Sequence, residues 1–426
     1  MSVLNTALNQ FYNEFDRETL SPRKREDYRT PFQKDRDRII YSSALRRLQA
    51  KTQVFISGEY DFYRTRLTHS IEVVQIGRSI CHFLYHNSSH LNETFFIDPD
   101  LVEAICFAHD LGHPPFGHSG ESTLNRLMSK QGGFEGNAQT LRILTEIMYP
   151  TGSGRVGMNP TRALLDGVLK YKTLYSQLNA PERHFLYDEQ KPYLDFVFAD
   201  REFPEELTPG KSLNHFRSVE CQIMDWADDT AYSLNDIVDG VRAKFITPYR
   251  LERWAADHPL TSQQSQWVEG IIKAIAEGEI ERTFSRKIGE FINACKLEKR
   301  TNFMSDLTNR YRYELVVSPE ALEEAHLYKV IASDIVFDSP QLQQLRFKWN
   351  YILEKLFLAF QENYQNIHQA KSLLPEVTHQ AILEETDPRR QMRLICDHVA
   401  GMTDDFAIRT YKRFFDPDFG SIVDLI

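Results

Sequence analysis

Apolar residues recur at spacings of three and four along most of this chain, the period that gathers them on one face of an α-helix. The pattern predicts helices over residues 68–86, 99–111, 118–130, 134–149, 160–171, 216–240, 261–296, 338–364 and 387–415. Four starts pair a capping side chain with proline: Asp98-Pro99, Ser318-Pro319, Ser339-Pro340 and Asp387-Pro388. The cap satisfies an orphan backbone N–H, and proline stands where its own missing N–H costs nothing. One strand pair is expected near 301–317, ending in Tyr-Glu-Leu-Val-Val at 313–317. The stretch 186–212, rich in acids and with three prolines, reads as a long loop or a partly ordered insertion. The expected fold is all-α, with a minor β-hairpin, one large core and a helical C-terminal third.

Composition narrows the class. The chain has 426 residues, 42% hydrophobic and 26% charged, which suits a globular protein and excludes wholesale disorder or a fibre. The formal net charge is −10, a poor balance for wrapping duplex nucleic acid. Residues 1–66 run against it, with 13 Lys/Arg and 9 Asp/Glu, so an anion site is to be sought there. Five scattered cysteines without a CxxC, no apolar run near the ~18 residues of a membrane span and no signal-peptide core give the expectation of a cytoplasmic protein without membrane contact.

Three segments carry candidate chemistry. In Ala108-His109-Asp110-Leu111-Gly112-His113-Pro114-Pro115-Phe116-Gly117-His118-Ser119-Gly120-Glu121 the apolar helix 99–111 is expected to end with Gly112 as its left-handed C′ residue. Asp110 then lies in the last turn, where the helix dipole disfavours a carboxylate unless a cation is near. The bland reading is a solvated C-cap. In Arg64-Thr65-Arg66-Leu67-Thr68-His69, Thr68 is expected to cap the next helix. His69 then falls in its first turn and Arg66 just outside it, a fork suited to phosphate. On the apolar helix 216–240, Asp228, Tyr232 and Asp236 recur every four residues as one polar stripe, with Asp225 and Asp229 crowding it. A solvated acidic face is the alternative. Together His69, His109, Asp110 and Asp228 offer two imidazoles and two carboxylates. That set suits one divalent ion, with Mn, Fe, Co, Ni or Zn favoured over Mg.

In this order and spacing the pieces resemble the HD-domain phosphohydrolases, with their H…HD…D metal signature. The match is closer still to the deoxyguanosinetriphosphate triphosphohydrolase family. It rests on Arg46-Arg47-Leu48-Gln49-Ala50-Lys51-Thr52-Gln53-Val54-Phe55, Arg64–Ser70, His109–His118, Phe134-Glu135-Gly136-Asn137-Ala138-Gln139, Ala227-Asp228-Asp229 and Gly401-Met402-Thr403-Asp404-Asp405, within residues 30–410. His398 stands where an aromatic residue is common in that family. The resemblance implies metal-dependent hydrolysis of a deoxynucleoside triphosphate to deoxynucleoside and inorganic triphosphate, with attack at the α-phosphorus. It implies metal ligation by His69, His109, Asp110 and Asp228, His118 and Glu121 as an acid/base pair, and His113 near the phosphates. Arg66 and Lys170 are then expected along the phosphates, Tyr171 among the substrate-binding residues, Tyr232 and Asp236 at the sugar edge, and Gln53 at the sugar or base. An HD-domain catalytic core over 1–300, including the basic N-terminal segment, and a packed C-terminal extension over 301–426 follow. So do a homo-oligomer (a hexamer by likeness), a second activating nucleotide and single-stranded DNA as further partners. The alternatives are another HD-type nucleotide phosphohydrolase, such as a nucleotidase or alarmone hydrolase, or a nucleotide- or single-strand-binding module without turnover.

Other patterns carry less. Gly152-Ser153-Gly154-Arg155-Val156-Gly157 spells GxGxxG but follows a helical pattern, not a strand, so the dinucleotide-binding context is missing. His82, His86 and His90 run toward a polar loop and read as a solvated face.

Overall fold

The computed structural model describes residues 9–22, 28–53, 64–149 and 157–420. Val54 and Phe55 of the quoted motif, and residues 152–156 of the glycine run, lie outside them. The described chain is all-α apart from one two-stranded antiparallel sheet.

Besides short helical turns at Glu14–Arg17, Ser43–Arg47 and Lys211–His215, the longer helices begin with α1 (Pro31–Ile40), α2 (Arg66–Asn87) and α3 (Pro99–Ala108). A capping box opens α2: the Thr65 hydroxyl accepts the Thr68 N–H, and the Thr68 hydroxyl accepts the Thr65 N–H. The cap is therefore Thr65 and not Thr68, which puts Arg66 inside the first turn. Helix α3 starts at the expected Asp98 cap but ends at Ala108, three residues early. Gly112 is not left-handed. A Cβ there would lie 2.0 Å from the Gly136 carbonyl oxygen and 2.3 Å from the Thr140 nitrogen. Close approach of two backbones, not a helix C-cap, requires this glycine, and Asp110 sits in a turn instead of a last helical turn.

Next come α4 (Gly117–Leu127), α5 (Gly136–Arg142), α6 (Arg162–Val168), α7 (Lys191–Phe198) and the long α8 (Val219–Arg242). Helix α5 runs into a single π turn at Ile143–Ile147, and α6 stops before Lys170. The 186–212 stretch is partly ordered, with α7 inside it. Beyond α9 (Pro248–Asp257), the expected helix 261–296 is two, α10 (Ser262–Ala276) and α11 (Ile280–Asn293), parted at Gly278 with φ +71°. Its predicted tail is instead strand β1 (Cys295–Lys299), which pairs with β2 (Tyr313–Val317) in the register Cys295↔Val317 to Lys299↔Tyr313. The hairpin thus begins upstream of 301. Helices α12 (Pro319–Ala332), α13 (Pro340–Tyr364), α14 (Glu376–Glu384), α15 (Pro388–Ala400) and α16 (Asp404–Phe415) complete the chain. Apolar period alone predicts the last two as one helix over 387–415. The Thr403 hydroxyl accepts the Phe406 N–H and starts the second afresh.

Apolar packing does not follow chain order. One buried cluster joins Val73 and Ile80 of α2, Leu101 and Ile105 of α3, Ile223 and Ile237 of α8, and Ile331 of α12. A second joins Leu124 of α4, Leu141 of α5, Leu165 of α6, Leu353 and Phe357 of α13, and Val399 of α15. Helices α2 and α3 come close at Gly77, where a Cβ would lie 2.9 Å from Cys106 Sγ. The fully buried Arg310 guanidinium pairs with Asp166 and Glu220, each at 3.0 Å, and ties α6 and α8 to the loop before β2. All five cysteines are buried, free thiols. Among the described residues no helix is long and apolar enough to cross a membrane.

Candidate metal centre and active site

Three elements deliver the polar side chains. The first turn of α2 supplies Arg66 and His69. The turn after α3 supplies His109 and Asp110. The middle of α8 supplies Asp228. His69 Nε2 lies 3.1 Å from Asp228 Oδ1, and His109 Nε2 lies 3.6 Å from the same oxygen. Ligand atoms of these three residues fall within 4.8 Å of one another. Asp110 Oδ1 is also 3.6 Å from His109 Nε2, while its Oδ2 accepts a bond from Arg66 at 2.9 Å.

His109 decides what the cluster suits. Its Nδ1 donates to the Cys106 carbonyl at 2.6 Å, which leaves Nε2 as the lone-pair nitrogen. That Nε2 is buried and has no hydrogen-bond partner. An imidazole whose far nitrogen is held by a carbonyl, with the near one aimed unpaired at carboxylates, is the arrangement of a metal-ligating histidine. The surrounding charge favours a cation at that nitrogen, which is a proton when no ion is bound. Burial opposes charge on His109, yet Asp110 and Asp228 outweigh it and lift its pKa to about 9. Burial likewise opposes the Asp228 carboxylate, but Lys170 and His109 hold it well below the usual range. The cluster demands positive charge at its centre, and two imidazoles with carboxylates fit a divalent ion.

Comparison with known proteins bears on this geometry. Residues 66–232 match the HD domain and residues 315–413 the phosphohydrolase-associated domain. A deoxyguanosinetriphosphate triphosphohydrolase-like protein of Shewanella loihica is 36% identical over 442 residues, covering 94% of this chain and 96% of that one. One from Haemophilus influenzae is 35% identical, covering 92% and 94%. A second such protein from Deinococcus radiodurans is 36% identical, covering 96% and 98%. The chain belongs to the deoxyguanosinetriphosphate triphosphohydrolase-like family. It is an HD-domain phosphohydrolase, and HD domains are metal-dependent.

Around its HD cluster, the remaining expected residues divide. Glu121 and His118 share the first turns of α4. His118 Nδ1 lies 2.9 Å from Glu121 Oε2, and Glu121 Oε1 accepts the Gly136 N–H at 2.7 Å. Burial opposes the Glu121 carboxylate, but His118 and His113 hold its pKa down to about 2. His113 Nδ1 stands 2.9 Å from Asp110 Oδ1 and its ring is 5.6 Å from that of His118; burial and Arg66 push its pKa down. Lys170 pairs with Asp225 at 2.7 Å and Asp228 at 3.3 Å. Tyr171 stacks on His184 at 4.4 Å. His113, His118, Glu121, Lys170 and Tyr171 line one cavity of about 270 Å³ together with the His69–His109–Asp228 cluster. A second cavity of about 630 Å³ adjoins it, and the two share Gln53, His118, Arg183 and Tyr232. Asp236 stands apart, buried and outside the lining of either cavity, though it acts electrostatically on Tyr232.

Several wall residues were not foreseen. Glu135 and Asn137 line the smaller cavity, and burial with the neighbouring Glu121 charge lifts Glu135 to about 8. The Phe134–Gln139 motif could have pointed to them. Arg183 and His184 come from an irregular loop with left-handed backbone at Ala180 and His184. Arg346, Trp349 and Asn350 of α13 line the larger cavity from the far end of the sequence. Local pattern gives no sign of these five.

Proposed function

We propose that this protein hydrolyses deoxynucleoside triphosphates to deoxynucleoside and inorganic triphosphate. The observation that carries the reading is one cavity with the His69–His109–Asp228 cluster on one wall and the His118–Glu121 pair on another, opening into a second cavity. At about 630 Å³ the second has the size of a small-molecule site. A bound divalent ion supplies Lewis acidity toward the phosphoryl group and lowers the pKa of water. His69, His109, Asp228 and Asp110 would hold it. Their mixed donors favour Mn²⁺, Fe²⁺, Co²⁺, Ni²⁺ or Zn²⁺ over Mg²⁺.

In the reaction a water oxygen bonds to the α-phosphorus while the bond from phosphorus to the 5′-oxygen breaks, and the water's proton passes to solvent, from which His118 regains the one it gives up. The departing alkoxide is strongly basic and needs a proton. His118 donates it from Nε2, and Glu121 keeps Nδ1 of that ring occupied and the ring oriented. Arg66 Nε, buried and without a partner, is free for a phosphate oxygen. Lys170, His113 and Tyr171 border the same space. Gln53 Oε1, also buried and unpartnered, faces the sugar or base, and the Tyr232 ring walls the sugar where a 2′-hydroxyl would project. Residues 1–300 form the catalytic core, and the extension over 301–426 closes the nucleoside cavity through α13. The test is to incubate metal-stripped protein with each deoxynucleoside triphosphate, with and without Mn²⁺, and separate the products. Deoxynucleoside and triphosphate in equal amounts are expected, with ribonucleotides poorer substrates. Monophosphate with pyrophosphate, or diphosphate with phosphate, would overturn the reading.

A further inference from the structure

The segment between α15 and α16 reaches the site from more than 280 residues away, and its contacts converge on two short turns. Asp404, the first residue of α16, is 5% exposed. Its Oδ2 accepts the Thr52 backbone N–H at 2.7 Å and the Thr52 hydroxyl at 2.5 Å. Its Oδ1 accepts the Phe116 backbone N–H at 2.9 Å. Thr52 immediately precedes Gln53. Phe116 is the N-cap of α4, two residues before His118; its backbone is left-handed (φ 62°) and its side chain makes no cap hydrogen bond. The turn into α4 is therefore held by a carboxylate from another helix. Beside it, the buried Lys51 Nζ donates to the His113 carbonyl at 2.6 Å and the Ala400 carbonyl at 2.9 Å. Charged acceptors with several donors are the stronger hydrogen-bond class, and burial removes water as a competitor.

The metal cluster is supported differently. His69 and Asp228 ride on α2 and α8, and His109 is held by Cys106 and Thr140. None of them touches Asp404. We propose that Asp404 is a positioning residue that holds His118 and Gln53 at the spacing a bound nucleotide spans between its 5′-oxygen and its sugar or base. The inference rests on the roles given above to His118 and Gln53. Asparagine at this position keeps the shape but turns one acceptor into a donor facing a donor, so at least one of the three bonds is lost.

The test compares Asp404→Asn with wild type on two substrates. One is a deoxynucleoside triphosphate, whose alkoxide must be protonated. The other is p-nitrophenyl triphosphate, whose phenolate departs unaided and which has no sugar for Gln53. Deoxynucleoside release is expected to fall a hundredfold or more, nitrophenolate release less than threefold, and Mn²⁺ affinity by calorimetry less than twofold. Equal falls on both substrates would reduce Asp404 to a structural residue and overturn the proposal. A wild type that releases no deoxynucleoside sinks the triphosphohydrolase reading, and hydrogen exchange then decides for Asp404. Exchange at Thr52 and Phe116 faster by tenfold or more, with α2 and α8 unchanged, supports it; a uniform rise along the chain overturns it. Should Asp404→Asn not fold, Thr52→Val removes one bond alone. It is expected to raise KM for the deoxynucleotide severalfold with kcat within twofold, and an unchanged KM would count against the proposal.

Discussion

His118 and His398 are both imidazoles on helices, and their surroundings give them opposite work. His118 is half exposed, with Nδ1 held by Glu121 and the other nitrogen free toward the cavity. A positioned acid for a poor leaving group contributes about 10²–10⁴ in rate. His118→Ala is accordingly expected to cut deoxynucleoside release by that factor while nucleotide affinity, measured by equilibrium binding, changes less than threefold. His398 lies against the Phe360 ring and near Arg47, and burial with that like charge pushes its pKa down to about 4. Between pH 6.5 and 4 the unfolded chain binds a proton there that the folded chain resists. Stability therefore falls as pH drops through this window, by about 3 kcal/mol when complete. His398→Phe removes that loss. Urea midpoints at pH 7 and pH 4.5 are expected to differ less for the variant than for wild type, and parallel shifts would refute the assignment.

At the scale of elements, the site depends on how closely backbones approach. The turn carrying His109 and Asp110 presses on the start of α5 at Gly112. It is further tied there by the Thr140 hydroxyl, which accepts the Gly112 N–H and donates to the His109 carbonyl. A methyl group at Gly112 has no room beside the Gly136 oxygen. Gly112→Ala is expected to cost about 1–3 kcal/mol of stability, the usual range for overpacking. It should also weaken Mn²⁺ binding about tenfold by calorimetry, because the displaced turn carries His109 with it. The same scale explains where helix boundaries moved. Apolar period runs through 261–296 and 387–415 without a break, so Gly278 and Thr403 divide helices that periodicity joins. The Asp98, Ser318 and Asp387 side chains cap where local chemistry placed them, since a cap needs only its own turn, whereas Ser339 holds the cap position but its buried hydroxyl accepts no backbone N–H.

Across the whole molecule, the His69–His109–Asp228 cluster is a junction of distant helices, so an ion bound there would be linked to folding. A ligand that binds only the folded chain at 100 times its Kd adds about 2.7 kcal/mol of stability. Mn²⁺ added to metal-stripped protein is expected to raise the unfolding midpoint by that order, and Asp228→Asn should abolish most of the increment in a thermal melt. An equal increment in both proteins would place the ion elsewhere. The larger cavity is equally a product of the whole fold, because Arg346, Trp349 and Asn350 of α13 line it together with Gln53 and Tyr232.

The sequence by itself determined the helical class, most helix starts, and the residue types near the cluster. His-Asp at 109–110, His69 in a first turn and Asp228 on an apolar helix are local patterns, and hydrophobic period and capping act over a few residues. Only the tertiary structure decided which of these meet. It gave His109 its unpaired Nε2, left Asp236 outside both cavities, and brought Arg183, Arg346 and the Asp404 carboxylate to the site. Those placements follow from packing between helices hundreds of residues apart, whose contact energies leave no period in the chain.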